Sequence, residues 1–152
     1  MPSFLARLLE SRRFLLVSRV VLTFVFWGAG LGQLLGFRAA VGEFQAFGVE
    51  PAAPLVLLSI ATLLVGSALV ILDRAAWLGT GALATYTGLT ILLVHRFWAM
   101  EGEPALEHFH TATEHVTVIG ALMVMAILSH RTAQARERSP AAAARSRLAS
   151  SS

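Results

Sequence analysis

Two uncharged apolar stretches, Pro51–Leu72 and Ala75–Val94, are separated only by Asp73-Arg74. Each is long enough to cross about 30 Å of hydrocarbon as a helix rising about 1.5 Å per residue. So short a connection makes the two spans a tight antiparallel hairpin. A further run, Phe14–Phe37, is interrupted only by Arg19, and a shorter one, Val116–Ser129, reaches about 21 Å as helix. That is too short to span, so the last helix should begin in the preceding stretch near Phe109. The chain therefore reads as an all-α polytopic membrane protein. Its four transmembrane helices, over about 14–37, 53–72, 75–95 and 110–129, form an up-down-up-down bundle within a 14–129 domain. A short segment, 1–13, precedes them. The 130–152 tail is rich in Arg, Ala and Ser without apolar periodicity, and reads as disordered.

Composition supports the same class. Hydrophobic residues make up 56% of the chain and charged ones 14%, against about 45–50% and about 25% in soluble domains. That balance excludes a water-soluble globule and a disordered chain. The absence of cysteine removes disulfides, thiolate nucleophiles and Cys-based metal sites from consideration. All of the cationic charge is arginine, and most of it gathers near the chain ends rather than in one basic-aromatic patch, so no nucleic-acid partner is implied. With the N-terminus inside, nine arginines lie on inside segments. Only Arg38 and Arg96 lie outside, together with six glutamates. This is a positive-inside pattern with both termini cytoplasmic. Ser11-Arg12-Arg13-Phe14-Leu15 superficially resembles a twin-arginine export signal, but it lacks the spacer before the Phe, and no A-x-A cleavage site follows directly on the first apolar stretch. The first apolar run is expected to be retained as a helix.

The linker Arg38–Ala53 places Val41, Phe44 and Phe47 three residues apart, one apolar edge of a short helix. It reads equally as an interfacial helix lying on the bilayer and ending at Gly48, or as a loop with scattered aromatics. Helices in lipid associate through small and polar residues, and each span offers such a stripe. The first has Thr23, Trp27 and Gly30, with Gly28 and Gly32 as a G-x-x-x-G; the second has Ser59, Thr62 and Gly66. Thr80, Ala84, Thr87 and Thr90 mark the third, and Thr113, Thr117 and Gly120 the fourth.

Two candidate polar residues lie inside the membrane. Arg19 is placed to snorkel to cytoplasmic-side phosphates, or alternatively to hold an anionic ligand. Gln33, near the outer end of the first span, can hydrogen-bond across the bundle. The segment 103–115 concentrates His108, His110, His115, Glu107 and Glu114 on the outer side, where His95 ends the third span. Imidazole and carboxylate suit metal binding or proton transfer. A helix starting before Glu107 would turn His110, Glu114, Thr117 and Gly120 toward the bundle, with His108 and His115 opposite. The candidate outer site is therefore His95, His110, Glu114 and His115. No zinc spacing is present, so no metal is assigned. His95 with His110 or His115 could ligate a haem, but nothing local specifies one. Every Asp and Glu lies outside the apolar runs, which argues against a proton-coupled pump.

Arg19, then Phe24-x-Phe-x-Gly28-x-Gly30 toward Gly32-Gln33-Leu34, resembles the DoxX family of small membrane proteins. The resemblance continues through Phe47-Gly48-Val49-x-Pro51-x-x-Pro54, Gly66, Asp73-Arg74-x-Ala, His95-x-Phe97 and the Phe109–Gly120 entry, from about Leu15 to Ser129. It implies a four-helix protein of the bacterial inner membrane, with relatives among membrane subunits of thiosulfate:quinone oxidoreductase and of redox or stress assemblies. Where many members carry a Lys after the first-helix glycine and a Glu in the second helix, this chain has Gln33 and the uncharged Ser59-Ile60. His115 stands near a position where relatives often have Asn.

Three functions follow. The first is an accessory or anchoring subunit of a quinone-linked redox or stress-response assembly, with a membrane or cytoplasmic protein partner. The second is a redox subunit using the outer His/Glu loop, which requires His95, His110 and Glu114 to converge. The third is a binder of a small lipid or hydrophobic solute, which requires a cavity within the bundle.

Overall fold

A computed structural model of the chain describes residues 2–137. Seven α-helices follow in order: α1 (Ser3–Leu9), α2 (Arg12–Leu22), α3 (Phe24–Leu35), α4 (Phe37–Ala46), α5 (Ala52–Ile71), α6 (Ala76–Leu93) and α7 (Gly102–Glu137), with a single 3-10 turn, Phe97–Ala99, between the last two. No strand occurs among the described residues. Of these helices, α5, α6 with its following turn, and α7 are long and apolar enough to cross a membrane, and α2 and α3 pass the same test together as a bent pair. Leu57, Leu58, Val65, Trp77, Val116, Val124 and Ile127 are all exposed. In water such a surface would drive aggregation, whereas in lipid it is the natural exterior.

The first span is not one helix. It bends by 51° between α2 and α3. Thr23 is buried at the break, and its hydroxyl donates to the Arg19 carbonyl at 2.8 Å. The Val20 carbonyl accepts the Trp27 indole N–H at 3.3 Å. Side chains entering the backbone ladder in this way are a recognised cause of sharp kinks. Hydropathy alone does not register them, which is why the run 14–37 reads as continuous.

At the centre lies α5, which packs against α3, α4 and α6, while α7 closes on α6. Phe26, Leu63, Val70, Leu83, Leu122 and Met125 form the main buried cluster. Asp73 and Ala75, at φ of 54° and 51°, make the tight reversal between α5 and α6. The two helices then meet where neither has a side chain: a Cβ on Gly79 would stand 2.7 Å from the Gly66 carbonyl oxygen and 2.9 Å from Leu69 Cβ. Gly30 is similarly pressed against Leu63 and Leu64, but Gly28, Gly32 and Gly120 have nothing within 4 Å of a Cβ. The G-x-x-x-G of the first span is thus not a contact within this chain, and Gly30 takes that role.

The linker helix also differs from an interfacial helix lying free on the bilayer. α4 packs Phe37, Ala40, Val41 and Phe44 against Val56, Ile60 and Leu64, all of α5. Val41 and Phe44 of its apolar edge meet protein, whereas Phe47, just past the helix end, is exposed. The last helix is longer than the expected 110–129. α7 spans Gly102–Glu137, about 54 Å at 1.5 Å per residue. It exceeds the hydrocarbon thickness and carries the polar 102–115 segment and residues 130–137 as helix. The remaining tail positions, 138–152, lie outside the described residues.

Crowding at the glycines gives a differential test. Gly79→Ala should destabilise the protein by about 1–3 kcal/mol through overpacking, whereas Gly32→Ala should be neutral or slightly stabilising. Unfolding of both variants in mixed micelles checks the contrast.

Candidate functional site

Polar side chains within the bundle gather at three levels. At one end Arg19 is 3% exposed. Its Nη2 lies 2.8 Å from Asp73 Oδ1 and donates to Ser129 Oγ at 3.2 Å. Arg136 approaches the second Asp73 oxygen at 3.6 Å, while Arg19 Nε has no partner among the described residues. Arg19 is therefore buried and ion-paired within the chain. It turns inward and joins α2, the α5–α6 reversal and α7. The kink after it and the left-handed Asp73 place the two charges together, and neither is visible as a sequence periodicity.

At the middle level, Ser59 Oγ stands 2.8 Å from Gln33 Oε1 and 2.8 Å from the Tyr86 hydroxyl. Gln33 thus bonds across the bundle as its position suggests. Its partner is the neutral Ser59, which in turn bonds a tyrosine that sequence reasoning did not single out. Tyr86 is the chain's one tyrosine, and in an uncharged span that rarity was the available signal. Ser59 and Tyr86 line a cavity of about 520 Å³ between α4, α5 and α6, with Phe44, Phe47, Leu58 and Leu89 on its walls and Glu43 and Val94 also bordering it. This volume falls within the range of small-molecule sites.

The third level is the histidine group around His95, after the end of α6. His95 Nδ1 lies 3.2 Å from His108 Nδ1, and the His95 and His115 rings meet edge-on with centroids 5.0 Å apart. His115 Nδ1 is 2.8 Å from the Thr111 carbonyl oxygen, which makes that nitrogen the protonated one. His95, Glu114 and His115 border a second cavity of about 290 Å³, which reaches inward to Val25, Phe26, Thr87 and Val118. Tyr86, Thr90 and Val94 line both cavities.

The face assignment of α7 is the reverse of the expected one. Ala112, Leu122, Met125 and Ser129 are buried and His108, His115 and Val118 half-buried, whereas His110, Glu114, Thr117 and Gly120 are exposed. Starting at Gly102 and continuing without a break, α7 carries the face that ends in Leu122, Met125 and Ser129 back through His115 and His108. The expected small-residue stripe Thr113, Thr117 and Gly120 therefore faces outward. His95 is joined by His108 and His115, and His110 stands apart beside Phe109. Among the described residues no group of three His, Asp or Glu side chains is placed to hold a metal ion.

An all-helical body with lipid-ready exterior faces and internally paired polar groups defines a helical membrane protein. The DoxX family profile matches residues 14–96, more than half of the chain, and the protein belongs to the DoxX family. The matched region holds Arg19, Gln33, Ser59, Asp73, Tyr86 and His95, and stops short of α7 with His108, His110, Glu114 and His115. No curated protein and no solved structure matches the chain.

Removing Asp73 leaves a buried guanidinium without its counter-charge, so Asp73→Ala should cost about 3–5 kcal/mol. Loss of the exposed Arg136 should cost under about 1 kcal/mol. Equilibrium unfolding in mixed micelles compares them. In the folded protein, diethyl pyrocarbonate should modify His110 and His130 several-fold faster than His95, His108 and His115. Peptide mass spectrometry reads that order, and equal rates would show that the three rings are not packed together.

Proposed function

We propose that this DoxX protein is a four-span subunit of the bacterial cytoplasmic membrane with both termini inside. It serves as an accessory or anchoring part of a quinone-linked redox or stress-response assembly, and the α4–α5–α6 groove is where the quinone sits. The observation that carries the reading is the groove itself. A quinone needs an apolar slot for its ring and tail, a hydrogen-bonding group at its oxygen and a path from the bilayer. Phe44, Phe47, Leu58 and Leu89 supply the slot, while Tyr86, Thr62 and Thr85 place hydroxyls along it. The charge asymmetry of the connections supports the orientation. The family resemblance to thiosulfate:quinone oxidoreductase membrane subunits supports the assembly.

The redox-subunit alternative asked His95, His110 and Glu114 to converge, and His110 does not join the other two. Binding of a small lipid in place of a quinone uses the same groove and is the competing outcome of the test.

A photoreactive azidoquinone, applied to the protein in membrane-derived nanodiscs, should label peptides of α4, α5 and α6 that line the groove. Unlabelled quinone should compete. Leu58→Trp, which fills the slot from an exposed position, should reduce labelling about tenfold while leaving the protein folded. Labelling spread evenly over the lipid-facing surface, or displaced by phospholipid and not by quinone, would reject the quinone assignment. Mild cross-linking in native membranes that yields no protein partner would count against the accessory role.

A further inference from the structure

The hydrogen bonds around Ser59 have a direction. Gln33 Oε1 is a carbonyl oxygen and can only accept, so the Ser59 hydroxyl 2.8 Å away donates to it. A serine hydroxyl has a single proton. With that proton on Gln33, Ser59 can only accept from Tyr86, also at 2.8 Å. The Tyr86 proton is then committed to Ser59, and the hydrogen-bonding capacity left at the phenol oxygen is a lone pair.

Two other polar groups of the groove lean the same way. Thr90 donates its hydroxyl proton to the Thr87 carbonyl at 2.8 Å. Glu43, on the α4 side, is a carboxylate that accepts when ionised. Thr62 and Thr85 are the hydroxyls on the wall that a carbonyl ligand would have to use instead.

We propose that the Tyr86–Ser59–Gln33 relay makes the groove selective for a head group that donates a hydrogen bond, so that it binds the hydroquinone form in preference to the quinone. This rests on the reading that a quinone-type molecule occupies the groove. A hydroquinone O–H meets the free lone pair of Tyr86 with the relay intact. A quinone carbonyl can take a bond from Tyr86 only if the phenol proton leaves Ser59, which breaks an internal bond to make an external one. Selectivity therefore comes from which protons are already engaged, and not from the shape of the slot.

The test compares decylubiquinol with decylubiquinone, by equilibrium partitioning into nanodiscs with and without the full-length protein. In the wild type the quinol should bind about tenfold more tightly, the scale of one net hydrogen bond. Ser59→Ala frees the Tyr86 proton to face the ligand, so the ratio should fall to unity or reverse. Tyr86→Phe should bring both ligands to similar, tail-driven affinity. Equal affinities or a preference for the quinone in the wild type would overturn the relay direction while leaving the groove assignment standing. A quinol preference unchanged in both variants would also overturn it, because selectivity would then lie elsewhere in the groove. Failure of either ligand to bind above protein-free discs would overturn the groove assignment and the selectivity together. The wild-type ratio needs no substitution, so a variant that fails to fold does not remove the test.

Discussion

In hydrocarbon a leucine gains nothing by leaving lipid for another leucine, so the bundle depends on close backbone approach. That approach is made at Gly66 and Gly79, where the α5–α6 crossing leaves no room for a Cβ on either glycine without displacing a neighbour. Everything else is arranged around this hairpin. α3 and α4 lie against α5, and α7 lies against α6. Leu83 rests on Gly66 and joins Leu63 and Leu122 in the buried cluster. A bundle held by a few tight crossings can leave space between helices elsewhere, and it does so on both sides of Tyr86.

Polar groups within such a bundle must find partners, since lipid offers none. Threonine hydroxyls on α6 return to their own backbone, as Thr80 and Thr87 do. Arg19 meets Asp73, and Gln33 meets Ser59. The first pairing is a clamp between distant segments and has no cavity of its own among those described above. The second borders a groove through Ser59, whose hydroxyl is among the polar groups an apolar ligand would encounter. The two pairs therefore differ in whether a cavity adjoins them, although both looked alike as isolated polar residues in apolar runs.

The apolar runs made α5, α6 and the core of α7 legible, because length and absence of charge are all that crossing lipid requires. The bend at Thr23 was not legible. It arises from hydrogen bonds by Thr23 and Trp27 to backbone carbonyls, and both residues fit an unbroken helix by hydropathy. The histidine face was misread for a related reason. A small-and-polar stripe through Thr113, Thr117 and Gly120 is a sound guess for a packing face in lipid, but α7 buries Leu122, Met125 and Ser129 and carries His108 and His115 with them. Local polarity cannot tell which side of a helix meets its neighbours.

Sequence by itself determined that this chain is helical, where its apolar segments lie, that α5 and α6 turn back on each other, and that it resembles the DoxX family. These follow from hydropathy, charge and local motifs, which act within one segment at a time. Only the tertiary structure decided that Arg19 pairs with Asp73, that His95 meets His108 and His115 and not His110, and that Tyr86 joins Ser59 and Gln33 beside a groove. Each of those contacts joins residues on different elements, and their distances are set by kinks, helix rotation and crossing points that no single segment encodes.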